Sequence, residues 1–118
     1  MDAKQLSRTD FHTQIMSFLL VDRFNDGNLE NTKKVDDTIL PIANYYGGDL
    51  QGVLDKINEG YFSDLGINTI WLSPITQNPE GAFGLWPDPY TKFSAYHGYW
   101  PISNTQIDHR FGDEKVFK

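Results

Sequence analysis

Three features of the chain predict an α/β fold built on a parallel strand, helix, strand unit. The stretch QIMSFLLVDRF is near-continuously apolar and rich in strand formers, the composition of a strand covered on both faces. Leu50, Val53, Leu54 and Ile57 then recur at helical spacing. A second β-rich run, NTIWLS, stops at Pro74. Elements in this order form a parallel strand pair joined by a right-handed crossover.

Residues 15–22 are the expected first strand. Asp22 stands at its carboxyl end with Arg23 beside it, a pairing that suits a buried ion pair or a loop anchor better than a catalytic acid. Across residues 25–44 the apolar pattern gives way to Asn, Asp, Gly, Thr and Lys, which marks a long loop. Loops of this length in compact domains are usually functional or mobile. Asp49 sits where the helix needs an N-cap, and Gly60 is a natural stop. Gly66 breaks the chain before the second strand, expected over residues 68–73.

The segment from Pro74 onward carries five of the six prolines and two of the three tryptophans. Phe83, Trp86, Tyr90, Phe93, Tyr96, Tyr99 and Trp100 follow with little periodicity, so this stretch is expected as a loop. Seven aromatic rings are too many to be left simply exposed. In DHRFGDEKVFK, Asp108 is expected to cap a turn or a helix start, and Asp113, Glu114, Val116 and Phe117 after Gly112 read as a first helical turn.

Composition excludes several function classes. Lys plus Arg number 10 against 16 Asp plus Glu, a net charge of −6 that repels a phosphate backbone, so no nucleic-acid partner is expected. There is no cysteine, hence no disulfide framework, thiol nucleophile or thiolate metal site. The longest apolar run is far short of the ~20 residues of a membrane span, and MDAKQLSRTDFHT is too polar for a leader's apolar core. The expectation is a soluble protein without a membrane partner, either cytoplasmic or secreted with its leader removed.

Two clusters could carry function. Asp26, Asn28 and Asn31 offer side-chain oxygens at short intervals, and hard cations such as calcium take six to eight oxygen ligands. Gly47 and Asp49 complete such a site if the long loop folds back; the plain alternative is a polar surface turn. The spacing is not that of an EF-hand, because Phe24 occupies a position that needs an oxygen ligand. The second cluster is AYHGYW. Aromatic rings here can stack on the apolar faces of sugars while His97 supplies a directed hydrogen bond, or they can form a satellite core beneath a loop.

The stretches LLVDRFNDGN, YYGGDLQGVLDKI, YFSDLGINTIWLSPI and AYHGYW…IDHRFG, taken in that order, resemble the N-terminal part of the α-amylase family of glycoside hydrolases, with cyclodextrin-forming and maltogenic members especially similar. The resemblance implies the N-terminal portion of a TIM (β/α)8 barrel, with residues 15–118 as a partial catalytic domain after an extension at residues 1–14. It implies that Tyr99 stacks on a glucose unit of an α-glucan or maltooligosaccharide, that His97 hydrogen-bonds the same sugar, and that Trp100 supports the wall. It also implies a calcium site from Asp26, Asn28, Asn31, the Gly47 carbonyl and Asp49, with Thr32 departing from relatives that carry another Asn.

The family's catalytic carboxylates come from later barrel strands, so no catalytic residue is expected among these 118 and the chain alone is expected to be inactive. In the complete enzyme the expectation is retaining hydrolysis or transglycosylation. Two parallel strands with uncovered edges predict self-association. The competing expectation is a self-standing carbohydrate-binding or interaction module.

Overall fold

The computed structural model describes residues 11–88 and 90–118. The expected extension at residues 1–14 therefore lies mostly outside the described residues. A 3₁₀ turn at Phe11–Thr13 leads into β1 (Met16–Leu19), which pairs in parallel with β2 (Thr69–Leu72) in the register Met16 to Thr69 and Leu19 to Leu72. Between them lie α1 (Val21–Phe24), a 3₁₀ turn at Pro41–Ala43, α2 (Leu50–Asn58) and α3 (Tyr61–Asp64). An antiparallel hairpin of β3 (Ala82–Trp86) and β4 (Thr91–Ser94) follows, and α4 (Glu114–Phe117) closes the described chain.

The strand, helix, strand unit is present as expected, with two corrections. The first strand stops at Leu19 instead of reaching residue 22, because the backbone turns into α1 and the Arg23 N–H bonds the Leu20 carbonyl. Asp22 is thus on a helical turn beyond the strand end. The aromatic segment expected as a loop is partly a hairpin, with a register shift between Phe83 and Trp86 that hides its period from a simple alternation count.

Side-chain chemistry explains α2. The Asp49 carboxylate accepts from Gly52 N at 2.7 Å and caps the helix, while Leu50 and Val53 are buried beneath it. Ile57, on the same predicted face, is half exposed beside a groove that also takes in Ile15, Phe62, Ile67 and Ile70. Two apolar clusters meet at Leu72. One joins Val21, Tyr45, Leu50 and Phe111; the other joins Leu19, Val53 and Phe62.

The β1–β2 pair is less covered than its composition predicts. Ile15, Met16, Phe18 and Trp71 are largely exposed, and Phe18 meets Trp71 edge-on at 5.4 Å between ring centroids. Among the described residues no helix is long and apolar enough to cross a membrane.

Candidate functional site

Asp22 lies within α1, the turn that follows β1, and is buried, its carboxylate accepting from Tyr46 N at 2.9 Å and Gly47 N at 3.1 Å and pairing with Arg23 at 2.7 Å. Burial pushes this carboxyl above its usual range, against the opposing pull of those two N–H groups and of Arg23. The ion-pair and anchor roles expected of Asp22 are both found.

Arg23 is the residue whose importance the sequence does not reveal. Its guanidinium lies between two rings, 3.7 Å from the Tyr46 centroid and 3.9 Å from that of Tyr96, while its nitrogens donate to the carbonyls of Ile42 and Asn44. A planar, fully charged group sandwiched this way ties the long loop to the aromatic segment. Only the pairing with a neighbouring acid could have signalled it.

From Tyr96 a ladder of rings runs outward. Tyr96 meets His97 edge-on at 5.4 Å, and His97 meets Trp100 edge-on at 4.6 Å. His97 also lies nearly parallel to Tyr99 at 6.0 Å, and its Nδ1 accepts from Tyr99 N at 2.9 Å. Tyr99 leaves 55% of its surface open, so the outermost ring presents a face to solvent. Tyr99 and Trp100 therefore both pack on His97 in one wall of rings, and what lies behind that wall is a cation–π stack.

The wall is held by Asn78, a fully buried residue that the turn-like TQNPEG stretch does not single out. Its amide donates to the carbonyls of Thr76 and Gly98, and its Oδ1 accepts from Trp100 N at 2.8 Å. Asp108 completes this support. Its Oδ1 caps the turn at Arg110 N, as expected, and its Oδ2 accepts from Asn78 N. Gly98 is required at the corner: its φ is +81°, and a methyl there would lie 2.1 Å from the Pro74 carbonyl oxygen. Gly98→Ala is expected to destabilise the chain by about 2–3 kcal/mol. Urea unfolding and the amide shifts of residues 96–100 check this.

Burial lowers the pKa of His97. With the folded value below the unfolded one, the neutral ring's contribution is fully present above the unfolded value of 6.5 and is lost as pH falls through the lower folded value. Protonation also removes the Nδ1 lone pair that accepts from Tyr99 N. The His97–Tyr99 contact is accordingly expected to loosen on acidification below that range and to be unchanged above pH 7, as the Tyr99 amide shift followed through a pH series would record.

The oxygen cluster is only partly convergent. Asp49 Oδ1 accepts from Gly27 N and Gly52 N, and its Oδ2 from Asn28 N, so this side chain organises the loop from beneath. Asn28 Oδ1 accepts from Glu30 N in a local turn. Asp26 Oδ2 accepts from Thr32 Oγ1 at 2.7 Å, and a methyl at Gly47 would stand 2.7 Å from the same oxygen. Asp26 Oδ1 and Asn31 Oδ1 remain buried without a hydrogen-bond partner. Such orphaned oxygens are costly in a folded chain, and a hard cation is a chemically suitable partner for them. Among the described residues no three His, Cys, Asp or Glu side chains converge, so a cation here would need amide and carbonyl oxygens in addition to carboxylates.

With this geometry in place, comparison with known proteins gives a direct result. The model of the alpha amylase catalytic domain matches residues 18–118. The chain belongs to the α-amylase family. The family's fold is the TIM (β/α)8 barrel, and the parallel β1–β2 pair with its intervening helices is an N-terminal α/β part of that barrel. Cyclomaltodextrin glucanotransferase of Bacillus sp. (strain 1-1) is 36% identical over 115 residues, covering 95% of this chain and 16% of that protein. The enzyme of the same name from Thermoanaerobacterium thermosulfurigenes is 34% identical over 113 residues, covering 92% and 16%. Among solved structures, the gamma-CGTase from alkalophilic Bacillus clarkii superposes with a TM-score of 0.76 at 34% identity, covering 95% of this chain and 16% of that one. An Anoxybacillus α-amylase gives 0.70 at 35% identity, covering 89% and 20%. The chain thus spans about one-sixth of the length of the curated family members it matches.

Proposed function

We propose that this chain supplies one wall of the sugar site of an α-amylase-type glycosidase acting on α-glucans such as starch and maltooligosaccharides. The observation that carries this is the exposed Tyr99 ring, backed by His97 and Trp100 and fixed through Asn78 and Arg23. A pyranose offers an apolar C–H face to Tyr99 and hydroxyls to polar atoms at the rim. The net charge of −6 suits a neutral ligand better than an anionic one.

Retaining hydrolysis or transglycosylation needs two carboxyl groups ~5–5.5 Å apart across the scissile bond. The buried acids behind this wall, Asp22 and Asp108, direct their oxygens to backbone N–H groups instead. The 118-residue chain assayed by itself is therefore inactive in this reading, and its part of the work is stacking and positioning. Purified chain incubated with maltoheptaose should release no reducing sugar, whereas a maltotriose titration should show binding that Tyr99→Ala abolishes. Turnover that survives repeated purification, or binding indifferent to Tyr99→Ala, would refute the assignment.

Asp26 and Asn31 fit a calcium ion through their orphaned oxygens, with the Gly47 carbonyl, Asn28 and Asp49 as the remaining candidate ligands. A bound cation there would neutralise Asp26 and stiffen the loop that carries Tyr46. The exposed Ile15, Met16, Phe18 and Trp71 give this polypeptide on its own an apolar surface through which it self-associates.

A further inference from the structure

Arg110, like Arg23, stacks on a ring. Its guanidinium lies 4.3 Å from the Tyr45 centroid, and its side chain is only 7% exposed. Nε donates to the Lys33 carbonyl at 2.8 Å and Nη2 to the Glu80 carbonyl at 3.3 Å. Nη1 is buried without a hydrogen bond, and its charge is met by Glu80 Oε2 at 3.2 Å. The other oxygen of that carboxylate, Oε1, meets His109 Nε2. One carboxylate therefore grips two consecutive residues of the DHRFG turn.

The two ends of this grip differ in exposure. The Glu80 side chain is 63% open to solvent, while its partner Arg110 is buried. A pair of exposed charges contributes little, but taking the partner from a buried cation is costly, because the charge left behind has no water to turn to. Protons reach the carboxylate freely, and the consequence falls on the buried side. From Arg110 the contacts lead to the wall: its N–H donates to Asp108 Oδ1, Asp108 Oδ2 accepts from Asn78 N, and Asn78 Oδ1 accepts from Trp100 N. Gln77 Oε1 also accepts from His109 N, so the turn is tied to the chain on both sides of Asn78.

The ionisable groups around this carboxylate are His109 and Arg110 on the turn and Tyr45 beneath Arg110. Asp113 and Glu114 share an open cleft of about 400 Å³ with His109. Inward lie Asp22, which feels the Arg110 charge, and Asp108, which accepts from the Arg110 N–H. The hydrogen bond with His109 does most to hold the Glu80 carboxyl below its usual range; desolvation opposes it, and the Arg110 charge adds to it. With the folded value below the unfolded value of 4.5, the contribution is fully present above 4.5 and is lost as pH falls through the lower folded value.

We propose that Glu80 is an acid-operated latch: its ionised carboxylate holds His109 and Arg110 against residues 76–80, which keeps Asn78 seated on Trp100 N, and its protonation releases the turn and loosens Trp100. The latch acts on the chain's own conformation and does not depend on what rests on Tyr99.

Amide exchange and amide shifts of the 118-residue chain test this. Glu80→Gln mimics the protonated carboxyl on a side chain exposed enough to leave the fold intact. At neutral pH this variant should exchange the Trp100 amide proton roughly tenfold faster than the wild type. The Val53 amide, which bonds the Asp49 carbonyl in α2, should keep its rate. On acidification the wild-type Trp100 amide should shift with a midpoint below 4.5, and that step should be missing from Glu80→Gln. Glu114→Gln removes an exposed carboxylate that pairs with Lys118 and should change neither reading. An unchanged Trp100 rate in Glu80→Gln, equal acceleration at Trp100 and Val53, or an acid step that persists in that variant overturns the latch. So does a Glu114→Gln variant with the same behaviour, since loss of any nearby charge would then explain it.

Discussion

Asp49→Ala is expected to lower the melting temperature by ~10 °C or more, reflecting a loss of about 3–5 kcal/mol. The Asp49 side chain is fully buried and accepts from three backbone N–H groups, on Gly27, Asn28 and Gly52. Alanine leaves all three without their acceptor, removes the N-cap of α2, and frees the loop that carries Asp26 and Asn31. Asp49→Asn separates geometry from bulk. Its single carbonyl oxygen can still serve Gly27 and Gly52, so the expected cost falls to about 1 kcal/mol. Differential scanning calorimetry of the two variants checks both values.

Arg23→Ala is expected to cost a similar amount, about 3–5 kcal/mol, because it strands the buried Asp22 carboxylate without its cation. The two flanking rings lose their common partner, and the carbonyls of Ile42 and Asn44 lose their donors. The wall should loosen as well, with maltotriose affinity falling about tenfold. Arg23→Lys keeps a charge but cannot stack on both rings or reach both carbonyls in the same plane, so rescue should be partial.

A pH signature distinguishes this account from simple loss of packing. Asp22 has a folded pKa raised above its unfolded value of 3.8, so its contribution is fully present below 3.8 and is lost as pH rises through the raised folded value. Removing Arg23 raises that folded value further, and the penalty falls on the ionised form alone. The destabilisation by Arg23→Ala should therefore be largest at neutral pH and shrink on acidification toward 3.8. A destabilisation independent of pH would assign the loss to packing.

The legible parts of the molecule are those governed by local rules. Asp49 as an N-cap, Leu50 and Val53 as a buried helical face, and Pro74 as a strand stop each follow from one residue's chemistry in its own neighbourhood. The hairpin escaped because a bulge at Gly84 breaks the period of two on which strand recognition depends. Asn78 and Arg23 escaped for a different reason. Their partners lie twenty or more residues away in sequence, at Gly98, Trp100 and Asn44 and in the rings of Tyr46 and the far more distant Tyr96, and no local pattern encodes such meetings. The order of four motifs directed attention to Tyr99, His97 and Trp100, and their ring contacts, which no local pattern encodes, emerge only in the fold.

The central claim is that the exposed face of Tyr99 is where an α-glucan rests. Intermolecular nuclear Overhauser effects between maltotriose and ring-labelled chain test it most directly. Contacts from the pyranose C–H protons to the Tyr99 ring, with weaker ones to His97 and Trp100, are the predicted result. Saturable maltotriose binding whose contacts fall elsewhere and leave the Tyr99 ring untouched would contradict it.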